Sequence, residues 1–497
     1  LDTLDFDLQT IQEARDLARK AQIAEDAFCS FTNEQVDRIL QSMVQSAEAN
    51  AERLACMAVE DTGFGKAEDK VVKNLVASRN VYNYIKDMKT IGVINEDPIN
   101  KITEVGEPVG VILGIVPSTN PTSTVIYKAM IALKSRNTIV FSPHPSALRC
   151  TLEAARLMAQ AAEAAGAPAN VITCIEHPSM KATNELMHAD EVKMIIATGG
   201  AGMVKAAYSC GKPALGVGPG NGPSYIERTA DVKKSVQDIM LSKTFDYGTI
   251  CASEQSIVVE ECNKQQVVDE FTRQGGYFMS KDETDKVCKL LFKNGYDMNA
   301  KFVGRSAQVI ADAAGITIPA NTRVLIGEQK GVGKGYPLSF EKLTSVLGFY
   351  TVRDWHEACE LCISLLKNCG MGHTMSIHTE NPDVVRAFYG KPVFRLIVNT
   401  PATQGGTGIS TGLAPAFTLG CGTWGGSATA DNVSPVHLMN IKRIAYGIRE
   451  VTPSKPISCN QHYETPACSN SAVTTDNQDL VNVVDEVLKL LKQKGEF

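Results

Sequence analysis

Between residues 109 and 200 the chain alternates short, almost wholly apolar runs with longer helical ones, and few architectures accept that pattern. Val109-Gly110-Val111-Ile112-Leu113-Gly114-Ile115-Val116-Pro117 reads as a buried strand and Thr122 to Leu133 as a helix. Thr138-Ile139-Val140-Phe141 reads as a second strand, and Ala147 to Ala165 as an Ala-rich helix closed by Gly166. Val171 to Cys174 and Val192 to Ala197 continue the series. A strand that is apolar at nearly every position is covered on both faces, and parallel strands joined by helices achieve that. The pattern predicts a doubly wound parallel sheet. A second series runs from Gln255 to residue 425, with strands at Ser256 to Glu260, Val324 to Gly327, Thr344 to Val352 and Met375 to His378. Its helices fall at Lys264 to Gln274 and Asp354 to Lys367. The expected fold class is α/β, with two doubly wound Rossmann-like domains.

The flanks differ from this body. Residues 10–90 read as helices, with Leu40, Met43, Val44, Leu54, Met57 and Ala58 at helical spacing. The segment from Pro453 to Asp476 is rich in Pro, Ser, Thr and Asn and reads as a linker or arm. Beyond it Leu480, Val483, Val484, Val487, Leu488 and Leu491 share one helical face, as in a helix that docks on a partner or on its own domain. The start, Leu1-Asp2-Thr3-Leu4-Asp5, has neither the basic opening nor the apolar core of a secretory signal. Two function classes are disfavoured by bulk properties. A net charge of −6 provides no basic stripe for nucleic acid or anionic membranes, and no apolar run approaches the ~20 residues of a membrane helix. The 14 cysteines follow no disulfide or zinc spacing, which fits a reducing compartment and no metal site. The one Cys-x-x-Cys, Cys359 to Cys362, sits in a helical pattern and reads as helix packing.

Four motifs carry chemistry. Gly114 to Thr122 leaves a strand and opens a helix, so its amides and the Asn120 side chain face the carboxyl edge of the sheet, where open α/β sheets bind ligands. Thr198-Gly199-Gly200-Ala201-Gly202 joins a strand to a helix with glycines that let a dinucleotide approach, although the third glycine of the usual fingerprint is Lys205. Gly216 to Pro223 is a rigid glycine–proline turn. In Phe245 to Ser256, Cys251 follows a turn and precedes an apolar strand, on an accessible corner. A free thiol with pKa ~8.5 is only about 3% ionised at pH 7, so the expectation is a pKa lowered by roughly one or two units.

Spaced this way, the chain resembles the aldehyde dehydrogenase superfamily, and more closely its coenzyme-A-acylating branch. That branch includes the N-terminal half of bifunctional aldehyde–alcohol dehydrogenases and the aldehyde dehydrogenases of bacterial microcompartments. The residues that carry the resemblance are Val116 to Thr124, Ser142 to Pro145, Gly216 to Asn221, Ile250 to Ser256, Phe340 to Leu343, Gly372 to Thr374 and Leu419 to Gly426. No iron-dependent alcohol dehydrogenase half follows residue 450, so the likeness is to the stand-alone enzyme.

The resemblance implies an aldehyde dehydrogenase-like fold with a small oligomerisation arm. Residues 1–235 would form the cofactor domain with its N-terminal helices and 236–428 the catalytic domain. Residues 429–455 would return to the cofactor domain, 456–475 would be the arm or linker, and 476–497 the docking helix.

It also implies Cys251 as nucleophile, Asn120 as oxyanion donor and His373 beside the thiol. Pro117, Ser118, Thr119, Ser142, His144, Thr198, Gly199, Gly200, Gly218 and Glu341 would bind the cofactor. Hydrolytic members carry a general-base glutamate at the position of Val217, so coenzyme A is the expected acyl acceptor. The family's lysine for the adenosine ribose is absent from Ser142 to Pro145; the expectation is NAD, with NADP not excluded. The substrate would be a short-chain aldehyde, acetaldehyde or propionaldehyde, and the assembly a homodimer or dimer of dimers. The expected location is the cytoplasm, within a microcompartment if the C-terminal helix meets a shell protein. A hydrolytic aldehyde dehydrogenase and a non-catalytic NAD-binding assembly protein stand as alternatives.

Overall fold

A computed structural model of the chain describes residues 5–453 together with residues 482, 484–487 and 489. The chain divides into a unit ending at Tyr446 and a second beginning at Gly447. In the second, residues 447–453 are exposed without regular structure, and residues 482, 484–487 and 489 are helical and exposed. The expected arm at 456–475 lies outside the described residues, as does the remainder of the docking helix.

Helices occupy the N-terminal part of the first unit: Phe6–Phe28, Asn33–Ala49, Ala51–Thr62, Ala67–Leu75 and Val81–Ile85. Thr32 and Gln35 form a reciprocal capping box at the start of Asn33–Ala49, which buries Val36, Ile39, Leu40, Met43, Val44 and Ala47 along one stripe. Gly63 closes Ala51–Thr62 in the left-handed conformation.

A five-stranded sheet follows, in the order Ile172–Cys174, Thr138–Ser142, Val111–Ile115, Val192–Thr198, Ala214–Val217. Every pairing in it is parallel. The two central apolar runs are buried at every position, as two-sided cover requires. The chain winds outward from Val111–Ile115 in one direction and then crosses back to Val192–Thr198 on its other side. The switch point lies between these two strands, so the loop after Ile115 and the glycines after Thr198 flank one crevice. Helix Pro121–Lys134 is buried at every position beneath it.

The second sheet has seven strands, in the order Gly276–Phe278, Val324–Glu328, Val346–Val352, Glu254–Glu260, Gly222–Ile226, Gly372–His378, Val393–Val398, again all parallel. Its fifth strand, Gly222–Ile226, comes before residue 235, so the passage between the sheets is the Gly218 to Asn221 turn. Cys359 and Cys362 are buried among Tyr225, Val258 and Leu365, within helix packing.

A three-stranded antiparallel sheet was not foreseen. It pairs Gly92–Asp97 with Ile102–Pro108, and the latter with Met439–Ala445. The final strand is exposed along most of its length and shows no apolar run. Residues before it bind the helix Pro121–Lys134: Tyr127 donates its hydroxyl to the Val433 carbonyl, and Ser135 Oγ reaches Pro435 O at 3.0 Å. Asn137 is fully buried. Its Oδ1 accepts the N–H groups of Val109 (2.7 Å) and Gly110 (3.0 Å), and its Nδ2 donates to Leu438 O at 2.7 Å. Among the described residues no helix is long and apolar enough to cross a membrane.

Asn137 therefore satisfies three backbone groups at the junction of the first parallel strand and the returning chain. Asn137→Ala should lower the urea unfolding midpoint, at a cost of about 1–3 kcal/mol for each buried group left without a partner. An unchanged midpoint would show that water replaces the amide.

Candidate active site

The Cys251 loop begins with an unusual turn. Helix Val232–Thr244 ends in Phe245–Gly248, where Asp246 (φ 49), Tyr247 (φ 51) and Gly248 (φ 74) are all left-handed. That conformation costs about 1–2 kcal/mol for a residue with a side chain, so it persists only where its surroundings hold it. Asp246 is held from helix Ala67–Leu75: its carboxylate accepts Lys70 Nζ at 2.9 Å and also Lys73 Nζ. Burial favours protonation of Asp246, but Lys73 and Lys70 outweigh it and keep the carboxyl below its ordinary range.

Five residues beyond, Cys251 sits half-buried on the wall of a cavity of about 660 Å³. The cavity lies at the switch point of the five-stranded sheet and reaches the start of strand Glu254–Glu260. The backbone of the Gly218 to Asn221 turn presses on the thiol loop so closely that a Cβ on Gly220 would fall 1.8 Å from the Cys251 carbonyl oxygen. Only glycine fits there.

Burial pushes the Cys251 thiol up to about 12, with Glu341 and Cys421 adding to the effect. Arg395 and the residue's own backbone N–H pull the other way. This overturns the expectation of a lowered pKa: in the ligand-free protein desolvation outweighs the favourable charge, and the thiol rests neutral.

Asn120 precedes Pro121 at the start of helix Pro121–Lys134. Its Oδ1 accepts Lys73 Nζ at 2.6 Å. An ammonium has donors only, so the amide cannot be flipped. Nδ2 is directed to Thr119 Oγ1 (3.1 Å) and Thr249 O (3.4 Å), along the cavity wall that carries Cys251.

Pro117, Ser118, Thr119, Ser142, His144, Thr198, Gly199, Gly200, Gly218 and Glu341 line the same cavity. Ser142 Oγ and Thr183 Oγ1 are 2.8 Å apart, as are His144 Nδ1 and Ser146 Oγ. Burial lowers the His144 pKa, so its ring is neutral. A Cβ on Gly200 would meet nothing within 4 Å, and helix Ala201–Ser209 begins at that point. These features suit a dinucleotide: bare backbone, a helix start for an anionic group, and apolar walls from Ile115, Pro117 and Met203. Glu341 Oε1 accepts the Gly220 N–H at 2.8 Å, and burial raises its pKa to about 7.

His373 is fully buried. It is not among the cavity-lining residues. It is the second residue of strand Gly372–His378, which is buried throughout, rather than part of a loop. Its Nδ1 meets Thr374 Oγ1 at 2.9 Å, and its Nε2 is buried without a partner. Burial, then Arg395, drives its pKa well below the ordinary value, so the ring is neutral.

Sequence reasoning also missed Arg395. This residue is 3% exposed and bonds to Thr374, Ala430, Asn432 and Gly420, with no carboxylate among those partners. Its charge acts on Cys251 and Cys421. Nothing in the local sequence Val393–Val398 signals that an arginine is buried there; only the fold shows it turned inward.

Comparison with known proteins agrees with this geometry. Residues 4–294 match the aldehyde dehydrogenase family. The chain is 45% identical over 441 residues to the bifunctional aldehyde-alcohol dehydrogenase AdhE of Escherichia coli (strain K12), covering 88% of this chain and 49% of that protein. It thus spans about half the length of the first curated relatives it matches. A solved acetylating aldehyde dehydrogenase from Geobacillus thermoglucosidasius superimposes with a TM-score of 0.89 at 52% identity, over 90% of this chain and 100% of that one. The propionaldehyde dehydrogenase of Rhodopseudomonas palustris, solved with bound propionyl-CoA, gives a TM-score of 0.79 at 26% identity, over 87% and 94%. The chain belongs to the aldehyde dehydrogenase family.

With the thiol near 12, alkylation of Cys251 by iodoacetamide in the ligand-free protein should quicken about tenfold per pH unit between about pH 7 and 9, because only the thiolate reacts. Peptide mass spectrometry would follow it. A plateau below pH 8 would reveal a thiolate already formed.

Proposed function

We propose that the protein oxidises a short-chain aldehyde, acetaldehyde or propionaldehyde foremost, to its coenzyme A thioester, with NAD as oxidant and an acyl group carried on Cys251. One observation carries this reading. Cys251 and Val217 line the same cavity, and Val217, at the position of the hydrolytic members' general base, is an apolar residue at the end of strand Ala214–Val217. The one carboxylate among the described cavity-lining residues, Glu341, accepts the Gly220 N–H through Oε1. Water attack on a thioester here lacks a carboxylate at the general-base position, a group worth about 10²–10⁴ in rate. A thiol acceptor, partly ionised near neutral pH, needs less help.

The Cys251 thiol releases its proton to solvent, the sulfur adds to the aldehyde carbon, and the carbonyl oxygen takes up negative charge. Asn120 Nδ2–H and the Cys251 backbone N–H are the proposed donors to that oxygen, each worth about 2.7–4 kcal/mol in comparable sites. NAD, when bound, supplies the hydride acceptor. Loss of hydride from the former aldehyde carbon leaves a thioester on Cys251. The coenzyme A thiolate then displaces the Cys251 sulfur and carries the acyl group away. His373, buried and neutral, is assigned no proton transfer; its proposed part is to hold the Thr374 hydroxyl. Among the described cavity-lining residues there is no lysine or arginine, which favours NAD over a cofactor with an additional phosphate.

Copies are proposed to associate as a dimer or dimer of dimers through the three-stranded sheet, where Ile441, Ile444 and Tyr446 are exposed. Location inside a bacterial microcompartment is proposed from the amphipathic tail, whose Val484 and Val487 are about half exposed.

The reading is tested by NADH formation from acetaldehyde with and without coenzyme A. Steady turnover is expected with it, and a burst of one equivalent without it; Cys251→Ser should abolish both. Full turnover without coenzyme A would make the protein a hydrolytic enzyme. Val217→Glu should raise the ratio of free acid to acyl-CoA among the products, measured by chromatography, and an unchanged ratio would remove the argument from that position.

A further inference from the structure

We infer that Lys73 is a positioning residue for this reaction: from a buried ion cluster it fixes the Asn120 amide with its N–H groups on the Thr249 side, along the wall that carries the thiol, and strengthens them as donors to the oxyanion. The inference rests on the proposed role of Asn120.

Lys70 and Lys73 lie three apart on helix Ala67–Leu75 and so share a face. Each is 2% exposed. Two ammonium groups taken out of water are costly unless paired, and one buried carboxylate, Asp246, serves both. Lys66 and Asp69 pair at 2.7 Å beside the cluster and cancel. Asp69 also accepts the Asp246 N–H, and Asp246 Oδ1 accepts the Lys66 N–H, each at 2.7 Å. The buried cluster thus retains one positive charge in excess. Space around it is closed: a Cβ on Gly65 would fall 1.7 Å from Asp246 Oδ1, and the Phe245 ring centre is 5.6 Å from Lys73 Nζ.

The remaining donors all point to the reaction loops. Lys70 Nζ reaches Thr119 O at 3.1 Å. Lys73 Nζ reaches Asn120 Oδ1 at 2.6 Å and Thr249 Oγ1 at 3.0 Å, so with Asp246 its three N–H groups have three acceptors. An ammonium so engaged has no freedom to rotate, and neither has the amide it holds. A charged donor on the amide oxygen also draws electron density from the nitrogen and makes its N–H groups more acidic. Both effects serve a site that must meet negative charge already organised. Burial lowers the Lys73 pKa to about 8, and Asp246 opposes that shift, so the ammonium form predominates at neutral pH.

A double-mutant cycle distinguishes this role from simple stabilisation. The readout is the single-turnover rate of NADH formation at saturating aldehyde and NAD, with KM for the aldehyde measured in parallel. Lys73→Met should slow the single turnover about 10- to 100-fold and change KM less than about threefold. In an Asn120→Ala background the same substitution should cost less than about threefold, because the group through which Lys73 acts is gone. Lys73→Gln, which keeps a donor without the charge, should lose less than Lys73→Met, and it carries the same cycle if the methionine variant does not fold. Equal losses in the two backgrounds would overturn the role of Lys73 alone. An Asn120→Ala variant with an unchanged rate would overturn the assignment of Asn120, and this inference with it.

Discussion

No atom can stand between the α-carbon of Gly220 and the carbonyl of Cys251, and much of the site follows from that contact. The turn that carries the chain from the five-stranded to the seven-stranded sheet is pressed against the loop that presents the thiol. Asn221 anchors the turn by donating to Ser339 O (2.8 Å) and Leu365 O (3.1 Å), while the Gly220 N–H anchors Glu341. Gly370 closes over it, since a Cβ there would lie 2.4 Å from the Asn221 nitrogen. Strand, turn, thiol loop and the Glu341 segment are thus fixed relative to one another by close backbone contacts at Gly220 and Gly370 and by the side chains of Asn221 and Glu341. The cavity is what remains on the side of the switch point.

The charges around the cavity are arranged by sign. Glu341 lies in the cavity wall and opposes thiolate formation. Arg395 and the Lys70–Asp246–Lys73 cluster supply buried positive charge from two separate parts of the fold. Burial dominates at the sulfur itself, so the resting thiol is neutral despite Arg395. Reactivity in such a site comes from donors organised for the charge that forms, rather than from a standing thiolate.

The parallel sheets were legible because buried strands leave apolar runs, as in Val111–Ile115 and Ile257 to Val259. The cavity wall was legible because its glycines, Asn120 and Cys251 sit at strand ends, where the switch point gathers them. The sheet built from Gly92–Asp97, Ile102–Pro108 and Met439–Ala445 escaped notice because its strands are largely solvated and mix charged with apolar residues. Lys70 and Lys73 look like surface residues of an amphipathic helix; their burial depends on Asp246, more than 170 positions away. The thiol's high pKa and the neutral ring of His373 are effects of desolvation, which has no signature in local spacing.

Arg395 bonds to Gly420, Ala430 and Asn432, Tyr127 to Val433, and Asn137 to Leu438. The first parallel sheet and the floor beneath the sulfur are therefore both finished by residues 417–438, near the end of the first unit. A nascent chain on the ribosome holds Cys251 and both glycine loops long before these partners emerge from the exit tunnel. Such a chain cannot complete the cavity, so the thiol spends its translation without the walls that later shield it from water.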